Sequence, residues 1–352
     1  MLQEAMKPPT RPFSLEKLKR AVRLYEGCKN MLGIVPLTIA GYPDSLDWKK
    51  DEGLRTFLQQ WGRAINSDSV MVLTGYPDGN NQPYDFFMDV FEPNGTDNTD
   101  RNLPGGVSTM CGNGVRAVAA YIRIYRPGAT EARIMTRSGL RTVGVDADRD
   151  LYSVNMGKFT SSYKDLAQYV NDGLITTNRN GEYIDSPIPQ DIVRQLNVFT
   201  SVTSWNIGLN GDRAKDGSID GEPHVVIILP KEQFATINNQ REFAVAAGPI
   251  ITKALRYFPH EINVNFISLR GGDGRKQIIW NTTHERNLGN DADHSVTQAC
   301  GTGSTVAASV LFRKGLVSTN QYVEVINTGG QLEISLCPDD NLIMNGPANP
   351  VS

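Results

Sequence analysis

The chain has 352 residues, and its 35 Lys and Arg against 38 Asp and Glu leave a formal charge of −3. This length is typical of about two domains, and 39% hydrophobic residues are enough to build a core in each. The composition excludes a disordered or collagen-like chain, and the lack of a dense basic block argues against nucleic-acid binding. We therefore expect a globular protein whose partner is a small polar molecule.

We expect neither a signal peptide nor a membrane partner. The first 22 residues contain three prolines and scattered charges, but not the apolar stretch of a secretory signal. The longest apolar runs, such as 225–229, are far shorter than a bilayer requires. The sequence thus predicts a cytoplasmic protein, and its four cysteines, which form no C-x-x-C pair, are expected to be reduced thiols.

The first predicted element is a helix over 14–25, whose apolar positions follow a helical period behind Ser14. Short runs typical of strands come next, separated by Gly, Asn, Asp and Pro. They lie at 69–73, 86–91, 132–136, 153–156, 224–229, 263–269, 278–280, 322–326 and 331–335. Because they often follow one another without a helix, they favour antiparallel or mixed sheets over a doubly wound parallel sheet.

Two segments, 111–122 and 300–312, break this pattern, and each reads C-G-x-G followed by a run rich in Ala and Val. A helix with small apolar side chains on every face is normally buried, so both segments are predicted to be central helices. Cys111 and Cys300 are separated by close to half the chain. This spacing predicts an internal repeat with one copy in each domain.

A cysteine in the first turn of a helix faces unsatisfied N–H groups and the positive end of the helix dipole. We expect this position to stabilise the thiolate and to lower the thiol pKa from about 8.5 to roughly 7. The following glycines leave backbone N–H groups uncovered, which suits them to bind a carboxylate. Two such helix ends across a cleft would place one thiol on each side of an α-carbon, as a racemase without cofactor or metal requires.

Other interpretations of the two motifs stay open. One C-G-x-G turn before an apolar helix is also typical of a buried structural cysteine. Phosphate binding is a second alternative, although neither turn matches a P-loop or a dinucleotide-binding pattern. A disulfide between Cys111 and Cys300 would represent an oxidised, inactive form.

The two motifs resemble those of the diaminopimelate epimerase family, pyridoxal-independent racemases with a catalytic cysteine pair. Residues 110–117 resemble the first cysteine motif of this family, and residues 299–304 resemble the second. Further landmarks follow in the family's order at 89–95, 221–225, 263–266, 285–286 and 345–348.

The resemblance implies an α/β (α+β) fold of two pseudo-symmetric domains. Each would be a curved, mostly antiparallel or mixed sheet wrapped around a central helix, with the active site in the cleft between the domains. The expected divisions are an N-terminal appendage (1–24), a first half (25–148), a second half (149–336) and a closing segment that returns to the first half (337–352). Homodimerisation and an amino-acid substrate are also implied.

The resemblance assigns the roles of acid and base to Cys111 and Cys300, which exchange them with the direction of reaction. It implies that Glu285 contacts the reacting amine and that Arg286 pairs with a carboxylate at the far end of the substrate. A Glu-Arg pair alone is more typical of a solvated surface. The other implied substrate-binding residues are Gly112, Asn113, Gly303, Ser304, Asn263, Glu92, Glu222 and Asn30.

Two of these positions depart from the family, because Glu92 and Glu222 stand where it has Asn. Buried carboxylates would repel a distal carboxylate of the substrate. We therefore hypothesise a basic or donor-rich amino acid as the substrate instead of diaminopimelate. The alternative is a shifted alignment in which Asn94 takes the Asn role, and the protein would then be a diaminopimelate epimerase of lysine and peptidoglycan biosynthesis.

Insertions relative to the family are expected at 96–108, 163–217 and 287–297, and the first and last of them precede the two cysteines. Such loops are expected to cover the cleft and exclude water. Two other classes are a related carbon-acid isomerase, acting on a hydroxyproline-like or phenazine-pathway substrate, and a catalytically silent amino-acid-binding protein. The retention of both cysteines argues against the silent protein. His224 is expected to have a structural role.

Overall fold

The structure, a computed structural model, describes residues 14–43, 47–75, 83–95, 105–146, 148–171, 177–183, 185–196, 202, 204–211, 221–286 and 295–351. The chain divides into two compact units, one formed by 1–155 with 345–352 and the other by 156–344. Among the helices of the described ranges, none is both long and apolar enough to cross a membrane.

The first unit is a mixed sheet with helices between its strands. Its strands are β1 (Arg23–Gly27), β2 (Asn30–Pro36), β3 (Ser69–Thr74), β4 (Phe86–Glu92), β5 (Gly106–Ser108), β6 (Glu131–Thr136), β7 (Gly139–Asp146), the start of β8 (Leu151–Thr160) and β17 (Asn349–Val351). Its helices are α1 (Leu15–Ala21), α2 (Leu37–Ala40), α3 (Glu52–Ala64) and α4 (Gly112–Tyr125).

Parallel and antiparallel pairs alternate through this sheet. Strand β1 runs antiparallel to β2 and β17, β2 is parallel to β3, and β3 is antiparallel to β4. Strand β4 is then parallel to β6, which is antiparallel to β7. Helix α4 makes the crossover from β4 to β6 and contacts β1, β2, β3, β6, β7 and β17. Every residue from Gly112 to Ile122 is buried, which confirms the predicted central helix.

The second unit contains the end of β8 and most of β16 (Asn341–Pro347), both of which continue into the first unit. Its other strands are β9 (Ser186–Pro187), β10 (Ser204–Gly211), β11 (Glu222–Leu229), β12 (Asn263–Gly272), β13 (Lys276–His284), β14 (Tyr322–Asn327) and β15 (Gly330–Leu336). Its helices are α5 (Tyr163–Leu166), α6 (Gln190–Leu196), α7 (Ile237–Thr252) and α8 (Gly301–Arg313).

The second unit repeats the strand pairing of the first. Strand β10 is antiparallel to β11, β11 is parallel to β12, and β12 is antiparallel to β13. Strand β13 is then parallel to β14, which is antiparallel to β15. Helix α8 makes the crossover from β13 to β14, contacts all six strands from β10 to β15, and is buried from Gly301 to Phe312. The two-unit α/β fold with a central helix in each unit is thus confirmed.

The N-terminal helix is shorter than predicted. Helix α1 begins after Ser14, whose side chain accepts a hydrogen bond from the backbone N–H of Lys17, but it ends at Ala21. Residues 23–27 form β1 instead, because this segment pairs with both β2 and β17 and buries Tyr25. Long-range pairing overrides the local helical period here.

Much of the three predicted insertions lies outside the described residues, at 96–104, 172–176, 184, 197–201, 203, 212–217 and 287–294. The described remainder contains β5, α5, β9, α6 and β10. Residues 163–217 therefore contribute regular elements to the second unit, and β10 is a member of its sheet.

Helix α7 fixes the end of β13, the strand that leads into Glu285. The hydroxyl of Thr252 lies 3.0 Å from Nδ1 of His284, the last residue of β13. Gly248 faces the same ring, and a Cβ at this position would lie 2.5 Å from Cβ and Cδ2 of His284. Because both groups belong to packed elements, only glycine allows this approach.

Gly248→Ala is expected to destabilise the protein by about 1–3 kcal/mol through this overpacking, although alanine is the better helix former. Gly53→Ala in α3 is the matched control, because its Cβ would meet only Asp51 Oδ1 at an ordinary 3.5 Å. We expect this control to be neutral or stabilising. Urea unfolding of both variants measures the difference, and equal midpoints would contradict the close packing of α7 on β13.

Candidate active site

Cys111 is the N-cap residue of α4. Its φ and ψ are −132° and 113°, and its Sγ accepts a hydrogen bond from the backbone N–H of Gly114 at 3.3 Å. The thiol thus takes the place of the hydroxyl or carboxylate that usually caps a helix. Gly112 and Asn113 are the next residues, and N–H groups at these first two positions point away from the carbonyls of their own helix.

Arg116 lies one turn further along α4 and is fully buried. Its Nη2 donates to Oδ1 of Asn113 at 2.9 Å, and its Nε donates to the carbonyl of Pro347 at 3.1 Å. Burial lowers the pKa of Arg116, whereas the Cys28 and Cys111 sulfurs raise it. The guanidinium therefore holds Asn113 in place and attracts negative charge on the Cys111 sulfur.

The first unit buries two other predicted site residues. Glu92 ends β4, is 7% exposed, and accepts a short hydrogen bond from the hydroxyl of Ser108 on the neighbouring strand β5. Asn30 begins β2 and is also buried. It follows a tight turn in which Cys28 and Lys29 both have positive φ angles. Glu92 is thus a carboxylate that this unit keeps largely away from water.

Cys300 occupies the same position on α8 that Cys111 occupies on α4. It is the N-cap, and its Sγ accepts from the N–H of Gly303 at 3.3 Å. Its Sγ also lies 3.3 Å from the hydroxyl of Thr302. Cys300 is only 8% exposed, whereas Cys111 is half-buried.

The expected fall in thiol pKa is wrong for Cys300. Burial raises the pKa of this thiol well above its usual range, and the negative charge of Glu285 raises it further. Hydrogen bonds from Thr302 and from the N–H of Gly303 lower the pKa but do not outweigh burial. Glu285 is itself held by the hydroxyl of Thr297, 3.0 Å from Oε1. The described arrangement therefore favours the protonated thiol at Cys300.

Two amides that the sequence assigned to the reacting carboxylate are already used. The N–H of Gly303 donates to Cys300 Sγ, and the N–H of Ser304 donates to the carbonyl of Cys300 at 2.9 Å. The positions equivalent to Gly112 and Asn113 are Gly301 and Thr302, the first two residues of α8. Sequence reasoning counted Gly301 and Gly303 alike as open donors and did not consider Thr302, because the motif does not show that the Cys300 sulfur accepts from Gly303.

Glu222, Asn263 and Arg286 form a polar cluster in the second unit. Arg286 Nη2 lies 3.2 Å from Oε2 of Glu222, and both side chains are about nine-tenths buried, with 11% and 9% exposed. Asn263 accepts from the backbone N–H of Arg286 at 2.9 Å, and its Nδ2 donates to Glu222 at 3.5 Å. Arg286 also lies over the ring of Tyr169. Because this cluster is mostly buried, Arg286 is not the solvated surface residue that a Glu-Arg pair usually contains.

The charge on Glu222 therefore has a partner within the protein. A substrate carboxylate that approaches Arg286 would compete with Glu222 for the guanidinium.

The four cysteines are free thiols. Within the described ranges, no group of three or more His, Cys, Asp and Glu side chains is arranged to hold a metal ion.

Residues 219–351, which include the second cysteine motif, match the sequence model of a family described as diaminopimelate epimerase. The diaminopimelate epimerase of Erythrobacter litoralis is 38% identical over 129 residues, which cover 36% of this chain and 40% of that protein. The diaminopimelate epimerase of Leptospira biflexa is 27% identical over 298 residues, which cover 82% of this chain and 83% of that protein.

The fold is also similar to the crystal structure of a probable proline racemase from Agrobacterium radiobacter. The TM-score is 0.56 at 13% sequence identity, and the alignment covers 94% of this chain and 91% of the other. These matches define an isomerase of the racemase and epimerase class. Within that class, the sequence similarity is to diaminopimelate epimerases, through the family model over residues 219–351 and through the Leptospira biflexa protein over most of the chain.

The two cap cysteines are expected to differ in reactivity toward iodoacetamide at pH 8. Cys111 should react about tenfold faster than Cys300 or more, because Cys300 is buried and its raised pKa keeps little of it as thiolate. Glu285→Gln removes the neighbouring charge and should accelerate labelling of Cys300. Peptide mapping by mass spectrometry measures both rates.

The control is Glu232→Gln, since the Glu232 side chain is 73% exposed and lies 3.9 Å from the ammonium group of its neighbour Lys231. This change should leave both rates unaltered. An unchanged rate at Cys300 in Glu285→Gln, with normal folding, would contradict the electrostatic effect of Glu285 on this thiol.

Proposed function

We propose that the protein inverts the α-carbon of an amino acid by a two-base mechanism to which each unit contributes one thiol. The observation that carries the proposal is the equivalent position of Cys111 and Cys300. Each caps a buried central helix, and each accepts from the N–H three residues further on. The packing of two similar helices does not require a cysteine at both caps. Acid–base chemistry on the two faces of one carbon does require a thiol from each side.

The charges beside each sulfur support an assignment of starting roles. Arg116 favours the Cys111 thiolate, which acts as the base, while burial and Glu285 keep Cys300 protonated as the acid. Cys111 removes the α-proton, the electron pair passes into the substrate carboxylate, and Cys300 delivers its proton to the opposite face. The cycle leaves Cys111 as a thiol and Cys300 as a thiolate, and the reverse reaction exchanges them.

The negative charge that develops on the carboxylate needs hydrogen-bond donors during this step. The first two N–H groups of α4 and of α8 are the proposed donors, at Gly112 and Asn113 in one unit and at Gly301 and Thr302 in the other. Such preorganised donors each lower the barrier by about 3 kcal/mol in enzymes that stabilise an oxyanion. Arg116 supports one of these turns through its bond to Asn113.

Cys111→Ser and Cys300→Ser are each expected to reduce racemisation by about 10²–10⁴-fold, because serine is too weak an acid to serve either role. Proton NMR in D₂O follows loss of the α-hydrogen for a panel of amino acids, with reductant present. Cys28→Ser and Cys337→Ser are the controls, and they should retain most of the activity. Near-full activity in either cap variant would exclude the two-thiol mechanism.

We further propose that the substrate has a basic or donor-rich side chain. Glu92 is a buried carboxylate in the first unit. In the second unit, Glu222 forms a salt bridge with the guanidinium of Arg286. A distal carboxylate would therefore meet competition at Arg286, whereas a distal amine would find acceptors. Diaminopimelate itself is the second candidate, and the match over 83% of the Leptospira biflexa diaminopimelate epimerase favours it.

Glu222→Gln tests this substrate class, since it removes the competing charge and keeps the shape of the side chain. We expect it to raise kcat/KM for α-proton exchange of diaminopimelate about tenfold or more and to weaken exchange of Lys, Arg or ornithine. Glu324→Gln is the matched control, because Glu324 is 7% exposed in the same unit and pairs with Lys276.

Efficient exchange of diaminopimelate alone by the unmodified protein would overturn the basic-substrate proposal and support the second candidate. Exchange of hydroxyproline or proline alone would favour the carbon-acid isomerase instead. Binding of an amino acid without any exchange would indicate the catalytically silent protein.

A further inference from the structure

A chain of buried polar side chains runs beneath the first turn of α8. It links Asn327, Asn281, Thr283, Asn265 and His224, each of which is at most 5% exposed. Four elements supply them, β11, β12, β13 and β14. This network of polar side chains also contacts α8, since a Cβ on Gly303 would lie 2.7 Å from the Thr283 hydroxyl.

Backbone carbonyls determine the direction of two amides in this network, those of Asn265 and Asn327. A carbonyl can only accept, so the group of Asn265 that lies 3.3 Å from the carbonyl of Val225 is its Nδ2. The Oδ1 of Asn265 then accepts from the Thr283 hydroxyl at 2.7 Å. At the other end, the carbonyl of Val325 orients Asn327 in the same way.

The direction of Asn265 decides where the imidazole of His224 carries its proton. Nδ2 of Asn265 lies 2.9 Å from Nδ1 of His224 and donates its second hydrogen to that atom. Nδ1 must therefore be an unprotonated acceptor, and the proton lies on Nε2. The other neutral tautomer would place two N–H groups face to face.

His224 also stays neutral at physiological pH. Burial lowers its pKa to about 3, the negative charge of Glu222 on the same strand opposes this, and the positive charge of Arg286 adds to it. The facing positions on the two adjacent strands are Gly208 on β10 and Asn263 on β12, neither of which titrates. His224 is therefore neutral, and Asn265 decides which of its two ring nitrogens carries the proton.

The Nε2–H that results is a buried donor with no hydrogen-bond partner within the described part of the chain. Buried hydrogen-bond donors nearly always have an acceptor in proteins, so a buried N–H without one indicates a place where a ligand supplies the acceptor. His224 lies two residues after Glu222 on β11, and the charges of Glu222 and Arg286 act on it. The donor therefore belongs to the half of the candidate site that the second unit supplies.

We propose that Asn265 is a positioning residue that holds His224 in the neutral Nε2–H tautomer and so reserves this N–H as a hydrogen-bond donor to an anionic group at the site. The role of the donor rests on the proposed function, whereas the tautomer does not. The imidazole is thus prepared as a donor before any ligand arrives, which removes the need to reorganise it during binding.

Nitrogen-15 NMR of histidine-labelled protein tests the tautomer without a substrate. The chain has four histidines, and His224→Gln identifies the signals of His224 by their loss. We expect an unprotonated Nδ1 and a protonated Nε2 across pH 5–8. Asn265→Asp should move the proton to Nδ1 or raise the pKa of His224, because a carboxylate accepts where the amide donated.

Asn206→Asp is the matched control. Asn206 is 2% exposed in the same unit, and its Oδ1 accepts from the backbone N–H of Asp185, a bond that aspartate retains. This control should leave the His224 signals unchanged. If Asn265→Asp does not fold, Asn265→Ala replaces it and should give a mixture of both neutral tautomers.

A protonated Nδ1 in the unmodified protein, or identical His224 signals in the Asn265 variants, would overturn the tautomer assignment. For an amino acid that the unmodified protein exchanges, Asn265→Asp should reduce α-proton exchange about tenfold relative to Asn206→Asp. A changed tautomer with an unchanged exchange rate would overturn the donor role alone. Absence of exchange by the unmodified protein would instead count against the proposed function and leave the tautomer standing.

Discussion

Burial of α4 and α8 on all sides is the constraint on which the candidate site depends. A helix that enters a core brings its first N–H groups with it, and these need partners that water does not supply there. A cysteine at each N-cap provides a sulfur that accepts one such bond, so the thiol is held at a defined place on a rigid element. The small side chains behind each cap let the surrounding strands approach the helix, and this approach is what keeps the helix end from shifting.

The two thiols have the same local geometry but different surroundings, and the difference decides their chemistry. A helix N-terminus stabilises a negative charge by at most about 2 kcal/mol. The cost of burying that charge completely is larger, so burial raises the thiol pKa more than the helix lowers it. At Cys300, burial and the carboxylate of Glu285 act together against ionisation. At Cys111, partial exposure and the buried guanidinium of Arg116 both favour ionisation of the thiol.

The central helices and nine strands could be predicted because their apolar patterns are local and continuous. The start of β1 could not be, since residues 23–25 carry a helical period and become a strand only through pairing with β2 and β17. Motif reasoning selected Cys111, Cys300 and Arg286 as candidates, but it misjudged the amides of α8, whose use depends on where the Cys300 sulfur points. The role of Asn265 was equally invisible, because its neighbours come from two other strands, Val225 and His224 from β11 and Thr283 from β13.

The separate cores of the two units also affect how such a protein can change over time. Each unit packs its strands around its own helix, so a substitution that alters the surroundings of one cap cysteine need not disturb the packing of the other helix. Glu285 and Arg116 illustrate this independence, since they belong to different units, and the position of α8 that corresponds to Arg116 holds Thr305. A duplicated architecture can therefore begin with two equal thiols and diverge into a specialised acid and a specialised base, one residue at a time, without loss of the fold.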